Sequence, residues 1–341
     1  MNSEDEKLVF YILLRYILTT NKIVVNLTYK MVNQMKGKIL KILRESEDYV
    51  SGEAIAEELG VSRVAVWKHI RDLKQDGYIL ESSPKGYKLV SSPDLLLPCE
   101  FPDLEQKIYH FREVSSTMNV ARELSHQGAK EGTIVIAESQ SQGRGRLNRQ
   151  WLSPEGGIYF TFILRPNISP IYAPRINLMV AVAIAQTIRK LFGLAAELKW
   201  PNDILIGEKK VCGILAEMNA ETDAINFVNL GIGINVNTPI SQLEEKATSL
   251  KEKLGKEVSR KEFFHSVVKE ITKQQALLTK EDLLEEWRQL STTLNKNVKI
   301  VMPGEEIKGR AIDIDTNGAL IVKRADGSLT RAFAGDCIHL L

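Results

Sequence analysis

"ELKWPNDILIGEKKVCGILAEM" spans Glu197 to Met218. Its first apolar run ends at Lys199, the chain turns through Trp200, Pro201, Asn202 and Asp203, and a hairpin returns through Gly207 into "KVCGIL". Two strands so close in sequence must pair antiparallel. Lys199 stands among Leu198, Trp200 and Pro201, an apolar setting for a cation. Such a lysine either snorkels to the surface or faces an anionic ligand.

Upstream, "GTIVIAESQ" (Gly132–Gln140) reads as a buried strand that delivers "QSQGRGRLNRQW" (Gln140–Trp151). That loop carries Arg144, Arg146 and Arg149 around Gly143 and Gly145, and is too rich in glycine to hold itself still. It either wraps a polyanion or waits for a small anionic ligand to order it. "KIYHFREV" (Lys107–Val114) reads as a strand, and Ser116 or Thr117 caps a helix holding Val120, Ala121 and Leu124. A helix start offers free N–H groups and a positive dipole end, but this cap taken alone is simply a good helix start. Downstream lie a long core helix (Tyr172–Gly193) and the buried strand "NFVNLGIGINVN" (Asn226–Asn237). Gly231 and Gly233 alternate along that strand and let a flat ligand or another backbone approach. Asn235 follows with an amide able to read a base edge.

The front of the chain has a different pattern. "GKILKILRES" (Gly37–Ser46) sets Ile39, Leu40, Ile42 and Leu43 on one helical face. In "SGEAIAEELGVSRVAVWKHIRDLKQDGY" (Ser51–Tyr78), Ser51 caps a helix carrying Ile55 and Leu59, Gly60 closes it, and Ser62 caps the next. Val66, Ile70 and Leu73 form a buried stripe in that second helix, with basic residues on the other faces. This is helix-turn-helix spacing, and "GYILESSPKGYKLV" (Gly77–Val90) adds two wing strands. Ser62, Arg63, Trp67 and Lys68 would lie nearest a DNA major groove, with Lys85 of the wing near phosphate. The plainer reading is a three-helix packing domain with a solvated charged face. "SSPDLLLP" (Ser91–Pro98) has the composition of a linker.

Helical patterns around "RKEFFHSVVKEITKQQALL" and "EDLLEEWRQLST" precede Asn297–Leu341. There, period-two runs alternate with turns at Pro303-Gly304, Asn317-Gly318 and Asp326-Gly327, which predicts a small five-stranded, SH3-like barrel. A formal net charge of +2 means that any nucleic-acid binding must come from a local patch. Cys99, Cys212 and Cys337 form no CxxC pair, which reads as a reduced cytoplasmic pattern without a disulfide framework or a protein-held metal. Leu8–Val25 is apolar but is interrupted by Arg15 and Lys22, a poor membrane span. The acidic start "NSEDEK" and the missing cleavage site argue against a signal peptide. Residues 1–34 read as an amphipathic extension or as translation from too early a start, with Met31 and Met35 as alternatives, and carry no assigned function.

"SST", "GRGR", "KWPND", "KVCGIL" and "GIGINVN" occur here in the order and spacing of the biotin protein ligase catalytic domain. With the winged helix-turn-helix in front, the chain from about Met35 to Leu341 resembles the bifunctional biotin ligase and biotin-operon repressor family. The resemblance implies an α+β chain with an extension (1–34), a winged DNA-binding domain (35–95), a ligase domain with a mixed sheet of the class II synthetase kind (96–295) and an SH3-like domain (296–341). It implies formation of biotinyl-5′-AMP from biotin and ATP with Mg²⁺, then transfer to a lysine of a biotin carboxyl carrier protein, in the cytoplasm. The implied catalytic pair is Lys199 and Arg146. Biotin contacts fall on Ser116, Thr117, Met118, Gln140, Arg144, Gly145, Arg146, Lys199 and Gly213; ATP contacts fall on Arg144, Arg146, Trp151, Asn202 and Asn235. Met118 departs from the asparagine of some members. The implied partners are the carrier protein, operator DNA and a second copy of the chain once adenylate is bound, with no membrane. The barrel supports ATP and carrier binding in the family; as a purely stabilising cap it reads equally well. Two alternatives stand beside this: a DNA-binding biotin sensor without ligase activity, and a lipoate or octanoate ligase of the same fold.

Overall fold

A computed structural model describes residues 22–302 and 304–340. Most of the apolar stretch Leu8–Val25 therefore lies outside the described residues. The chain divides into two compact units at Ile108/Tyr109.

In the first unit α1 (Lys22–Glu45) precedes α2 (Gly52–Leu59) and α3 (Arg63–Gln75), followed by the antiparallel strands β1 (Ile79–Ser83) and β2 (Gly86–Ser91). The helix read from Gly37 thus starts well before it. Ser51 and Ser62 are both N-caps: Ala54 N–H donates to Ser51 Oγ (3.0 Å) and Ala65 N–H to Ser62 Oγ (3.2 Å). Gly60 ends α2 in the left-handed region, φ 65°, which only glycine adopts without cost. Ile39, Leu40 and Leu43 of α1, Ile55 of α2 and Val66, Ile70 and Leu73 of α3 form one core. The segment expected to be a linker differs from that reading. Leu96 and Leu97 are buried, and a 3₁₀ turn over Pro98–Glu100 follows. Consecutive leucines carry more apolar area than a Ser/Pro composition leaves in water.

The second unit is built on a seven-stranded sheet in the order β3-β4-β5-β9-β8-β7-β6. Its elements run β3 (Ile108–Val114), α4 (Thr117–His126), β4 (Ile134–Gln140), β5 (Ile158–Leu164), α5 (Ala173–Phe192), β6 (Ala196–Lys199), β7 (Asp203–Ile206), β8 (Lys209–Ala220) and β9 (Ile225–Ile234). Then come α6 (Leu250–Leu254), α7 (Arg260–Gln274) and α8 (Glu281–Leu290). All of β5 is buried, so both sheet faces are covered. On one face Phe160 meets Phe264 of α7 edge-on at 5.3 Å, and α5 packs on α7 and α8. On the other, Ile163 and Val135 pack with Ala121 of α4. Pro170–Phe192 is long and apolar enough to cross a membrane, but 67% of its apolar window is buried within the protein, as in a core helix.

Five further strands close the chain: β10 (Asn297–Met302), β11 (Glu305–Ile314), β12 (Leu320–Lys323), β13 (Leu329–Ala332) and β14 (Asp336–His339). Their order is β13-β12-β11-β10-β14, all neighbours antiparallel, as the turn spacing predicts.

Candidate active site

Strand register builds the floor of a cleft on the α4 face of the sheet. Thr161, Gly231 and Leu215 lie opposite one another across β5, β9 and β8. The next row runs Tyr159, Gly233, Gly213, Asp203 and Lys199, reaching β6. Directly opposed residues share a face, so Gly231, Gly233 and Gly213 leave one patch of floor without side chains. Three protein side chains use that space. A Cβ on Gly231 would sit 2.7 Å from Met118 Sδ, and one on Gly233 would sit 2.4 Å from Trp151 Nε1. Gly213 makes room for both the indole and Lys210: an added Cβ would lie 3.0 Å from Trp151 Cζ3 and 3.1 Å from Lys210 Nζ.

The wall at the start of α4 differs from a simple Ser/Thr cap. Ser116 occupies the N-cap position, but its hydroxyl makes no capping bond. It is fully buried on the cleft wall, and among the described residues Oγ has no hydrogen-bond partner. Gln140 takes over the capping role across the sheet. Its Oε1 accepts from Thr117 N–H (2.8 Å) and Thr117 Oγ1 (3.1 Å), while its Nε2 donates to Ser153 Oγ (2.9 Å). Thr161 Oγ1 donates to Thr117 Oγ1 at 2.9 Å. A helix start with a buried, unused hydroxyl suits a polar ligand head.

The arginine loop is held from three sides. Arg144 pairs with Glu217 of β8 (2.8 Å) and donates to Asn119 Oδ1 of α4 (3.3 Å). Arg146 donates to Asn202 Oδ1 (2.8 Å) and to the Gly335 carbonyl just before β14 (3.0 Å). Arg149 makes a two-pronged bond to Asp336 of β14 (3.1 and 2.5 Å). Within the loop, Gly145 N–H donates to the Arg149 carbonyl at 2.7 Å and Trp151 N–H to the Gly143 carbonyl at 2.9 Å. Gly143 is obligatory, because a Cβ there would lie 2.3 Å from the Trp151 carbonyl oxygen. Leu147 (φ 53°) and Asn148 (φ 58°) adopt left-handed backbone, which costs leucine about 1–2 kcal/mol. The loop expected to be too floppy to hold itself is thus held by its arginines. Desolvation lowers the Arg146 pKa, and the Asp203 and Asp336 carboxylates oppose that shift.

Lysine placement departs from the sequence reading. Lys199 does not line the cleft. It is half-buried on β6, two strands beyond Gly213, and its charge acts on Asp336, Cys337 and His339. The lysine on the wall is Lys210, with Nζ 2.7 Å from Asp203 Oδ1 and 5.1 Å from the Trp151 ring centroid. A bulge puts it there. Ile204 lies opposite Cys212 but Leu205 lies opposite Lys210, so Val211 is skipped. Without the bulge Lys210 would point to the far face from Gly213. Asn235 is likewise off the wall; it is buried, donates to the Thr248 carbonyl (3.1 Å) and ties down the segment leading to α6. Asn202 does line the cleft, between Arg146 and the Ile214 carbonyl (2.8 Å). Asp203, Glu244 and Asp336 supply carboxylates that the sequence reading did not single out. Ser116, Thr117, Met118, Gln140, Arg144, Gly145, Arg146, Trp151 and Gly213 all stand on the same wall. In the first unit Ser62 caps α3, Arg63, Trp67 and Lys68 are exposed along it, and Lys85 is exposed at the wing turn.

Three family models match the chain: the biotin/lipoate A/B protein ligase family over residues 110–237, an HTH domain over 36–88 and the biotin protein ligase C-terminal domain over 293–340. The bifunctional ligase/repressor BirA of Bacillus subtilis is 36% identical, over 87% of this chain and 96% of its own length. The chain belongs to the biotin protein ligase family. BirA of Escherichia coli is 29% identical, over 89% of this ligase and 97% of the relative. The solved biotin protein ligase of Aquifex aeolicus in complex with biotin and ATP superposes with a TM-score of 0.59 at 28% identity, covering 68% of this chain and 97% of that one.

One substitution probes the floor of the ligase cleft. Gly233→Ala is expected to drive Trp151 from its seat, because the nearest atoms to the new methyl lie in the indole, at 2.4 and 2.6 Å. Small-to-large changes in packed sites cost about 1–3 kcal/mol. Calorimetric titration should show ATP affinity falling by about 10-fold or more, with the thermal midpoint shifted far less. Unchanged affinity would detach Trp151 from nucleotide binding.

Proposed function

We propose that the cleft activates biotin as biotinyl-5′-AMP and passes it to a lysine of a biotin carboxyl carrier protein. The observation that carries this is the seat of Lys210, a cation held by Asp203 and an indole over a side-chain-free floor. The biotin carboxylate oxygen attacks the α-phosphorus of ATP, the bond to the β-phosphate oxygen breaks, and pyrophosphate leaves. Two anions must meet, and Lys210 is the compact charge placed to neutralise both. The unpartnered Ser116 hydroxyl and the Gln140-capped helix start support binding of the biotin end. Trp151 and Asn202 support the nucleotide end. In the second step the carrier's lysine amine attacks the anhydride carbonyl, AMP leaves, and the amine's proton departs with it or to water.

Arg144, Arg146 and Arg149 are bonded to Glu217, Asn202, Gly335 and Asp336. In this reading they exchange some of those bonds for phosphate oxygens when the ligand arrives, and the closed loop keeps water from the anhydride. Asp203 and Asp336 each face a cation, and among the described residues no group of three His, Cys, Asp or Glu could hold a metal. Mg²⁺ accompanying ATP would be held chiefly by the substrate rather than by these side chains, and would supply charge neutralisation.

The extension, winged domain, ligase domain and barrel retain the proposed bounds 1–34, 35–95, 96–295 and 296–341. The winged domain binds operator DNA with Ser62, Arg63, Trp67, Lys68 and Lys85. A single such domain covers little DNA, so the repressing species is a homodimer promoted by bound adenylate. The protein works in the cytoplasm, where its three cysteines stay free and buried as they are here. Mass spectrometry of the protein after incubation with biotin, ATP and Mg²⁺ should detect retained biotinyl-5′-AMP. ATP turned over with no biotin adduct would overturn the proposal. Bound adenylate should tighten dimerisation and operator binding by about 1–3 kcal/mol. Equal sedimentation and operator titration with and without it would remove the repressor half.

A further inference from the structure

The exposed face of α3 is basic at its edges and apolar at its centre. Val66, Ile70 and Leu73 are buried in the domain core. The opposite arc carries Arg63, Val64, Trp67, Lys68, Arg71 and Lys74, all exposed. Val64 is 62% and Trp67 51% exposed, one helical turn apart. The Arg71 guanidinium lies 5.2 Å over the Trp67 ring and 3.7 Å from Asp72, an acid on the flank of this arc. A purely electrostatic phosphate-binding face has no use for an indole and an isopropyl group at its centre. The surrounding positive charge matches DNA, and in the major groove the thymine C5-methyl is the apolar group on a base edge.

Resting on the DNA-binding reading above, we propose that Trp67 and Val64 form an apolar reading head for thymine C5-methyl groups, with Arg71 held against Trp67 as its polar flank. Arg63, Lys68 and Lys74 supply sequence-independent attraction. Preference for thymine at the positions under α3 is therefore set by packing, and each operator half-site carries thymine there.

The test uses the full chain with biotin and ATP. Duplexes are selected from a random-sequence library, then resynthesised with deoxyuridine at single thymine positions. This removes a methyl and leaves phosphates and hydrogen-bonding edges unchanged. Burying one such carbon is worth about fourfold in affinity, so the parent protein should lose about that factor at each methyl contacted. The Val64→Ala, Trp67→Ala double variant should bind thymine and deoxyuridine duplexes equally. Both residues are exposed, so its fold should hold by circular dichroism. Lys68→Ala should weaken binding to both duplexes by one common factor and keep the discrimination. A parent protein indifferent to every methyl overturns the proposal, as does a double variant that still discriminates. A double variant that changes only self-association reassigns the patch to contact between copies. Failure to select any duplex removes the DNA-binding reading itself, a result distinct from methyl indifference.

Discussion

Lys210→Ala is expected to abolish most pyrophosphate release from biotin and ATP, by about 10²–10³-fold, the usual cost of removing one preorganised charge partner in a transition state. Nζ lies 2.7 Å from Asp203 and faces the Trp151 ring, so the variant also leaves Asp203 beside the cleft without this partner. Two negatively charged substrates would then meet an added negative field. Lys199→Ala is expected to retain most of the activity, because Lys199 stands two strands from Gly213 and off the cleft wall. Its loss should instead raise the His339 pKa from about 4, since burial and then the Lys199 charge hold it down. Titration of His339 by NMR checks this. Pyrophosphate release measured on both variants decides between the lysines. The reverse order, with Lys199→Ala dead and Lys210→Ala active, would return the role to the residue that the sequence alone suggested.

Arg146→Gly is expected to make adenylate and fail to keep it. Arg146 bridges the loop to Asn202 beside β7 and to the Gly335 carbonyl before β14, at 2.8 and 3.0 Å. Each such charged bond contributes about 1.5–3 kcal/mol, so losing both should speed adenylate escape by about 10-fold at the least. The released mixed anhydride would acylate exposed amines without a carrier. Filter-binding decay of labelled adenylate, with bystander labelling of an added unrelated protein, measures both effects. A variant that retains adenylate as long as the parent and labels only the carrier would show that Arg149 and Arg144 suffice to hold the loop.

Much of the architecture is written in short-range chemistry. Ser51, Gly60 and Ser62 mark the helix-turn-helix because caps and left-handed turns are local demands. The alternation of Gly231 and Gly233 foretold a bare floor for the same reason. What stayed hidden depends on contacts distant in sequence or on a broken period. Lys210 reaches the cleft only because β8 skips Val211, and simple alternation from Gly213 sends it to the other face. Gln140 caps α4 from 23 residues away, a bond that no local cap rule can anticipate. Asp336 meets Arg149 across 187 residues, so the loop looked unsupported until the C-terminal sheet was in place. The linker reading of Ser91–Pro98 gave weight to Ser and Pro, while Leu96 and Leu97 decided the packing.

The proposed transfer of biotin, through its adenylate, to a lysine on a carrier protein is open to direct measurement. Its most direct measurement is incubation of the full chain with ATP, Mg²⁺, a biotin carboxyl carrier domain and either labelled biotin or labelled lipoate. Intact-mass detection would follow the carrier and a carrier variant lacking its acceptor lysine. One biotin is expected on the parent carrier, none on the variant, and no lipoate on either. Transfer of lipoate in preference to biotin, or retention of biotin by the protein with no transfer to the carrier, would contradict the proposal.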